Sequence, residues 1–589
     1  MDTSANADAI PLNCSPNVCN MELRNGVWGK RYGFERLNSE PWGENVPVDG
    51  MYEFYKIDSS DPIFLVAWNG KIYSCDVDGN LVDLCTGSKS SLTKARTGFF
   101  TFGDKCYIYN GTDYCVYDGV NPIADVPGYV PTVSISRSPD GITTAANEEF
   151  NLLSNSWKDE FAGTADATEY ILSSEADSIE NVWINGVEQT DGFSLDSEDK
   201  SKMVFTTSPG ASTVLIQATK AGLNDSALIS GCTLFDIWGG KADTRVFALM
   251  NPNYPNVRWM SGLTDPTYFP INNDVMIGSD AEPITGVGHM ADYQIVYKQR
   301  SEWYTGIETQ EDGSVIYPTL PMNDEYGCIA PRTVCAAQGG LLALSADGVT
   351  FSIPSFVRGQ MNVTLISQKI NKAEWLHMGI QDFSKEDREN AFAYIFDQKY
   401  WLHIKDYVWI LDLSFSILST GVYCWYPFSG IPGKASQFLE RNGLLYSSDR
   451  SQGLIYKQNI GTYLDDEDAV DAWWTSPLLF MGLRGWIKKF TRVKLTFKAD
   501  QISDHILSFI TDQGAEDIHI RQDAGIFSYS NFSYKYWTYG VLNAEYPSTQ
   551  AEKCGYKGEY LQIKIRNNSN RGLTLMSASV DYLVKKEVK

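Results

Sequence analysis

Short apolar runs separated by tight-turn residues recur through most of this 589-residue chain. In a typical unit, the apolar residues 64–68 lead through Asn69-Gly70 into the apolar residues 71–75. Asn-Gly is a strong hairpin signal because both of its residues can take the positive φ that a two-residue turn requires. The pattern therefore predicts antiparallel hairpins. It leaves little of the sequence for helices, and the best helix signal is Ser384-Lys385-Glu386-Asp387, an S-x-x-D capping box that opens a short segment to about Ala391.

Six further units of this kind are centred near residues 108, 253, 294, 342, 401 and 446. Their spacing is roughly 40–50 residues once residues 128–222 are set aside, which is typical of the blades of a β-propeller. Radial repetition also protects the sheet edges that a strand-rich chain must cover. We therefore predict an all-β protein built on a β-propeller of about six or seven blades. The alternative is a string of unrelated β-sandwiches.

Two segments depart from the repeat. Residues 128–222 are rich in Ser, Thr, Asp and Ala. They contain strand-like runs of alternating apolar and polar residues around an Asn185-Gly186 hairpin, which predicts a small inserted β-sandwich. Alternating strands also fill the end of the chain, after an acidic stretch at residues 465–468 that we interpret as a solvated loop. The predicted units are residues 1–127 (an N-terminal segment and the first blades), 128–222 (the inserted β-sandwich), 223–465 (the remaining blades) and 466–589 (a C-terminal β-sandwich).

Charge and cysteine usage limit the function classes. The chain has 73 acidic and 48 basic residues, a net charge of −25. Tight nucleic-acid binding needs clustered Lys and Arg, so this composition disfavours it. We find no apolar run long enough to span a membrane and no signal peptide at the N-terminus. The eleven cysteines are interpreted as reduced thiols of a protein made in the cytosol, without disulfides.

The sequence contains no recognised catalytic or metal-binding motif. The histidines His289, His377, His403, His505 and His519 form no zinc spacing, and neither a P-loop nor a nucleophile elbow occurs. Residues 76–80 imitate the start of a calcium loop with the glycine misplaced, so we predict a hairpin turn there. A glycosidase needs only two carboxylates, and that alternative stays open. The sequence predicts no catalytic residue, no bound metal and no cofactor.

One long phrase resembles a known family. It runs from Trp259-Met260-Ser261-Gly262 through Asp265-Pro266-Thr267-Tyr268-Phe269-Pro270 and continues at residues 283–287, 295–303 and 342–349. The N-terminal phrase Arg24-Asn25-Gly26 adds to it. This cadence resembles the propeller hub proteins of tailed-phage tails, namely packaged-DNA stabilisation proteins and tail nozzle (tubular) proteins.

The resemblance implies a non-enzymatic structural protein of the virion, made in the host cytoplasm and located in the tail or neck. Copies would form a homo-oligomeric ring, most often a hexamer, below the phage portal and adaptor and in contact with other tail proteins. The ring would extend the DNA conduit, retain packaged double-stranded DNA sterically and open for ejection. An acidic lumen suits this role because carboxylates repel phosphate. The alternative is a peripheral propeller that recognises the host or binds carbohydrate.

Overall fold

The computed structural model describes residues 1–5, 9–43, 45–57, 59, 61–142, 145–239, 244–311, 315–354, 361–373, 379–498, 503–522 and 548–587. Across these residues the chain is all-β, as predicted, with many sheets and only short helices. The α-helices are Ala227–Ser230 and Lys385–Glu389, and the 3-10 helices are Pro331–Thr333, Gln368–Ile370, Ile380–Asp382, Leu418–Thr420 and Ile431–Lys434. None of the described helices has the length and apolar character needed to cross a membrane.

Seven sheets, which we number 1 to 7, follow one another in the described chain, and each of the first six is antiparallel with four strands. Their strands are Val48–Phe54, Ile63–Trp68, Lys71–Cys75 and Leu81–Asp83 in sheet 1; Gly98–Phe102, Lys105–Tyr109, Tyr114–Tyr117 and Ala124–Asp125 in sheet 2; Leu234–Trp238, Arg245–Leu249, Val257–Met260 and Asp274–Met276 in sheet 3; Ile284–Met290, Tyr293–Lys298, Glu302–Thr305 and Thr319–Asn323 in sheet 4; Cys335–Ala337, Gly340–Ser345, Gly348–Pro354 and Met361–Leu365 in sheet 5; and Phe392–Phe396, Lys399–Ile404, Tyr407–Asp412 and Trp425–Phe428 in sheet 6. In sequence, a small hairpin of Glu308–Thr309 and Val315–Ile316 lies between the third and fourth strands of sheet 4.

Sheet 7 takes one strand from the other end of the chain. Ala435–Arg441, Leu444–Asp449 and Ile455–Asn459 are followed by the N-terminal strand Gly33–Arg36 and by the short hairpin Leu464–Asp465 and Asp468–Ala469. Phe34 lies opposite Gln458 and is buried. Gly33 is required because a Cβ there would lie 1.7 Å from the carbonyl oxygen of Leu464.

Apolar clusters fill the spaces between consecutive sheets, and the last sheet packs on the first. Pairs that share a cluster are Leu65 and Cys106 (sheets 1 and 2), Tyr107 and Ala248 (2 and 3), Phe247 and Val296 (3 and 4), Tyr297 and Ala343 (4 and 5), Leu344 and Tyr400 (5 and 6), Trp401 and Phe438 (6 and 7), and Phe64 and Tyr446 (7 and 1). Each sheet is therefore buried on both faces, and the order of contacts closes into a ring, a propeller-like arrangement.

Between sheets 2 and 3 lies a separate pair of sheets, which we call the insert. One sheet contains Thr132–Arg137, Ala145–Ala146, Ser156–Ala162, Ser178–Ile184, Val187–Gln189 and Thr213–Thr219, and the other contains Glu169–Ile171, Phe193–Leu195 and Lys202–Phe205. The two sheets enclose their own cluster, which includes the buried Trp157, Tyr170 and Met203. The insert thus has a core that does not depend on the ring.

The end of the chain forms two more sheets, which we call the C-terminal unit. One has the order Asn17–Cys19, Ala472–Thr475, Leu561–Asn567, Ser503–Thr511 and Gly514–Gln522; the other has Met21–Arg24, Val27–Lys30, Thr574–Glu587, Trp486–Phe497 and Ser548–Lys553, with Lys557–Gly558 beside Trp486–Phe497. Strands of residues 17–30 thus belong to sheets made mainly by residues 472–587. The predicted unit of residues 1–127 did not anticipate this partition.

Local predictions agree with the structure where turn and cap chemistry decided them. Asn69 and Gly70 have φ values of 52° and 73° and form the predicted turn of sheet 1. Ser384 caps the helix Lys385–Glu389 by accepting a hydrogen bond from the Asp387 backbone N–H. The Asp76 carboxylate accepts the backbone N–H groups of Asp78 and Asn80, so residues 76–80 form the predicted hairpin turn.

Candidate functional site

The phrase that carries the family resemblance lies at the joint between the ring and the insert. After the strand Val257–Met260, residues 264–271 run along the base of the insert, where Asn151 bridges to Pro270. The Asn151 side-chain amide donates to the carbonyl oxygens of Tyr129 and Thr267, both at 2.8 Å, and its carbonyl accepts from the Phe269 N–H at 2.8 Å. Asn151 and Phe269 are fully buried. Because buried hydrogen bonds of this kind are directional, they fix the insert in one orientation.

A second polar joint holds the C-terminal unit to sheets 6 and 7. The Arg31 guanidinium donates to Asn20 Oδ1 at 2.9 Å and to the Ser429 carbonyl at 2.7 Å, and it forms a two-pronged ion pair with Asp465. Arg31 is 2% exposed. Asn20 in turn donates to the Asp471 carbonyl at 2.8 Å. Bidentate pairing gives this contact geometric specificity as well as charge compensation.

This joint corrects the interpretation of residues 465–468 as a solvated loop for Asp465 and Asp466, whereas Glu467 and Asp468 are exposed as expected. Asp465 pairs with Arg31 and its side chain is 10% exposed, and Asp466 pairs with Arg36 at 2.6 Å. Asp465 and Asp466 lie beside the N-terminal strand that completes sheet 7, and they neutralise Arg31, just before that strand, and Arg36 at its end. A cavity of about 470 Å³ at the same place is lined by Asp449, Asp465, Asp466, Asp468 and Asp471 together with Arg36 and Lys434.

A larger cavity, which we call the ring cavity, lies where the first strands of several sheets converge. Its volume is about 660 Å³, and its lining includes Met51 and Tyr52 of sheet 1, Gly98 and Phe99 of sheet 2, Leu234 of sheet 3, Phe392 to Tyr394 of sheet 6 and Gln437 to Leu439 of sheet 7. Arg332, just before sheet 5, also lines it. A mainly apolar cavity of this size with a few polar groups is typical of a ligand site.

Two arginines approach the same aromatic ring in this cavity. The guanidinium carbons of Arg96 and Arg332 lie 5.8 Å and 5.1 Å from the centroid of the Phe392 ring. Arg96 donates to the Ser436 carbonyl, and Arg332 donates to the Asn390 carbonyl at 2.9 Å. A guanidinium has five N–H donors, so each arginine keeps further donors for the cavity.

The electrostatic surroundings of the two arginines are unfavourable. Desolvation by the surrounding residues lowers the pKa of both, although the Arg96 side chain is exposed and that of Arg332 is half-buried, and repulsion from Arg96 lowers the pKa of Arg332 further. Among the residues that line the ring cavity there is no Asp or Glu. Asp49 attracts Arg96 from outside the lining without forming an ion pair in the described structure, and burial raises the pKa of Asp49 to about 6.

His403 lies behind the aromatic ring that the arginines share. Its imidazole stacks on Phe392 with a centroid separation of 4.5 Å, and its Nε2 is 3.0 Å from the Gly433 carbonyl oxygen. Burial lowers the pKa of His403 to about 4, and Arg332 and Arg96 add to the shift. The imidazole is therefore neutral at physiological pH and supports the Phe392 ring without adding charge.

The other histidines assemble no catalytic group in the part of the chain that the structure describes. Asp236 accepts hydrogen bonds from His289 Nε2 at 2.8 Å and from Gln294 at 2.6 Å, with no hydroxyl or thiol bonded to that imidazole among described residues. His505 is buried beside Gln522 and Asn567, and His377 lies outside the described residues. Within the described residues, no group of three or more His, Cys, Asp or Glu side chains is arranged to hold a metal ion.

Sequence reasoning missed Arg96 and Arg332. They are separated by more than two hundred residues and belong to no motif. The one available signal is positional: each comes shortly before the first strand of a sheet, Gly98–Phe102 or Cys335–Ala337. Superposing the repeats on their first strands would have placed both at the same end of the ring.

Comparison with known proteins gives only remote likenesses. No family model matches the chain, and no curated protein matches it. Among solved structures, the AfRom2 CNH domain is 8% identical with a TM-score of 0.35, and the match covers 72% of this chain and 99% of that one. An exo-beta-1,3-galactanase from Phanerochaete chrysosporium is 9% identical with a TM-score of 0.17, covering 84% of this chain and 97% of that one. TM-scores this low do not establish a shared fold.

Proposed function

We propose that this chain is a structural protein of a bacteriophage virion, in the tail or neck, whose copies form a ring of six that acts as a nozzle or hub. The ring extends the DNA conduit below the portal and adaptor, retains packaged DNA and opens for ejection, and the chain is not an enzyme. Sheets 1 to 7 are the blades of a seven-bladed β-propeller. The insert and the C-terminal unit are β-sandwiches attached to it.

The observation that carries this proposal is the rigid coupling of three β-rich units through buried polar joints. Asn151 ties the insert to the ring, and Arg31 with Asp465 ties in the C-terminal unit. Units joined by flexible linkers can reorient, whereas units joined by buried, satisfied hydrogen bonds move as one body. A subunit of fixed shape suits an oligomeric ring of copies that must hold packaged DNA. The phage-like phrase supports the same role because its residues build the Asn151 joint.

The charge of the chain is consistent with a conduit. A net charge of −25 gives a surface that repels phosphate, so DNA passes without adhering to the wall. Retention in this proposal is steric, through loops that narrow the lumen. The contact with DNA is therefore not sequence-specific.

The second candidate is a peripheral propeller that recognises the host or binds carbohydrate. The aromatic side chains in the ring cavity, among them Tyr52, Phe99 and Tyr394, favour it because sugars stack on aromatic rings. A propeller with this role acts through its cavity and needs no ring of copies.

The oligomeric state separates the two candidates. We expect light scattering on the purified chain to give the mass of several copies, and negative-stain electron microscopy to show rings with an open lumen. A monomer at all concentrations that binds members of a glycan array would favour the carbohydrate-binding candidate. A monomer that binds no glycan would contradict both.

A further inference from the structure

The ring cavity concentrates positive charge in a strongly acidic protein. The chain carries 73 acidic and 48 basic residues, yet the residues lining this cavity include two arginines and no carboxylate. Both guanidiniums face the same ring, Phe392, and neither forms an ion pair with a described carboxylate. A random distribution of charges on this chain would favour acidic groups there. The two arginines without a lining carboxylate are therefore unexpected from composition.

Placing two cations beside one another in this cavity destabilises the empty protein, even though Arg96 is exposed, Arg332 is half-buried and Asp49 attracts Arg96 from outside the lining. Removing a charge from water is unfavourable, and two like charges close together add a repulsive contribution. Cation–π attraction to Phe392 offsets only part of this unfavourable free energy. An anion between the two guanidiniums would compensate both charges.

We propose that the ring cavity is a binding site for a small organic anion, whose carboxylate or phosphate group is held between Arg96 and Arg332 and whose flat or apolar body packs on Phe99, Phe392 and Phe438. This inference goes beyond the structural role proposed above and does not depend on it.

The donor geometry fits an oxyanion. Each arginine uses one hydrogen bond to a backbone carbonyl, Ser436 or Asn390, which holds the guanidinium in place and leaves other N–H groups free to donate. Planar guanidinium groups bind carboxylate and phosphate oxygens in pairs, which gives directionality as well as charge. Other polar side chains of the lining already have partners: Gln437 is bonded to the backbone of Met51 at both ends, and the Tyr52 hydroxyl is 2.8 Å from that of Thr101. The arginines are thus the main groups available to fix a ligand.

The size and walls of the cavity restrict the body of the ligand. A volume of about 660 Å³ lies in the range that holds a metabolite or drug-sized molecule. Phe99 is itself stacked on Tyr52 with centroids 5.5 Å apart, so this wall is a preformed flat surface. An aromatic or other planar acid matches such walls better than a bare inorganic ion does.

Isothermal titration calorimetry of the full chain with phenyl phosphate and with benzoate tests the site. We expect one binding site per chain for at least one of these anions and no binding of benzyl alcohol, which has a similar body without charge. Comparing the two anions distinguishes a phosphate-bearing from a carboxylate-bearing ligand. Arg96→Gln and Arg332→Gln should each weaken binding about tenfold or more, since a charge-assisted contact is lost. Arg571→Gln, an exposed arginine of the C-terminal unit, should leave it unchanged.

Thermal melts of the wild type and the arginine variants, with and without ligand, separate a loss of binding from a change in stability. Without ligand, Arg332→Gln should melt at or above the wild-type temperature, because the repulsion between the arginines is removed. Phenyl phosphate should raise the melting temperature of the wild type and not that of Arg332→Gln. If the Gln variants do not fold, Arg96→Lys and Arg332→Lys keep the charge and should bind more weakly than the wild type. Equal binding by the wild type and all arginine variants, or no binding of either anion at millimolar concentration, would overturn the proposal.

Discussion

Glu302 shows how a single buried group sets a pH dependence. It lies at the start of the strand Glu302–Thr305, is fully buried, and accepts a hydrogen bond from the Ser352 hydroxyl at 2.9 Å. Burial raises its pKa to about 7. A carboxyl group with a higher pKa in the folded state than in the unfolded state binds more protons when folded. Its contribution to the free energy of unfolding is therefore greatest at low pH and falls as the pH rises from about 4.5 to about 7.

Replacing this carboxyl with an amide should remove that dependence. We expect Glu302→Gln to gain stability relative to the wild type as the pH rises from 4.5 to 8, by an amount on the order of a few kcal/mol, because the amide never ionises. Urea denaturation across this pH range measures it. The control is Glu325→Gln, at an exposed position after the last strand of the same sheet. If both variants shift the unfolding curves equally at every pH, Glu302 does not carry the effect.

At the scale of elements, the strand Gly33–Arg36 completes sheet 7 from a position more than four hundred residues away. Phe34 is 1% exposed and belongs to the cluster that joins sheets 6 and 7 with the C-terminal unit. We expect Phe34→Ala to lower the free energy of unfolding by about 3–5 kcal/mol, since it leaves a cavity where sheets 6 and 7 meet the C-terminal unit. Guanidinium denaturation would measure it against Phe415→Ala, whose side chain is 38% exposed. Similar small losses in the two variants would contradict a closing role for the strand.

The Asn151 joint makes a separate prediction at the same scale. Asn151→Ala leaves two carbonyls and two N–H groups without their partner, including the Leu153 N–H, and should destabilise the contact by about 3 kcal/mol. We expect faster proteolytic cleavage near residues 128–132 while the core of the insert stays protected. Asn253→Ala, at an exposed asparagine, is the matched control. Unchanged cleavage in Asn151→Ala would mean that other contacts fix the insert.

At the scale of the whole molecule, the insert and the ring have separate cores. Residue 128 packs against Leu153, and Asn224 donates to the carbonyl of the next residue, Ser154, at 2.8 Å. The chain therefore leaves the ring near residue 128 and re-enters it near residue 224 at points that lie close together. We expect replacement of residues 128–222 by a short Gly/Ser linker to leave a ring that melts cooperatively. Its melting temperature should be lower because Leu152 leaves the cluster between sheets 2 and 3.

The same deletion bears on assembly. If the insert contacts a neighbouring subunit at the rim, the shortened chain should stay folded but give smaller particles in light scattering. An insoluble chain would instead show that the segment is needed by the ring itself. If the shortened chain is folded and assembles like the wild type, the insert does not take part in the contact between subunits.

The sequence by itself determined what neighbouring residues can decide. Asn69-Gly70 sets its turn because both residues accept positive φ, and Ser384 starts its helix because its hydroxyl accepts an N–H three residues on. Alternating and apolar runs likewise fixed the all-β class. These signals depend on neighbouring residues in the chain, so they can be interpreted without knowing the tertiary structure.

Only the tertiary structure decided which distant segments meet. The register that places Phe34 opposite Gln458 and Val18 opposite Trp474 has no local signal, because any exposed strand edge can pair with any compatible strand. Arg96 and Arg332 share the ring cavity for the same reason: their distance is set by how the sheets close into a ring and not by their spacing in the chain. Closure requires every sheet to bury both faces at once, and that condition belongs to the whole molecule.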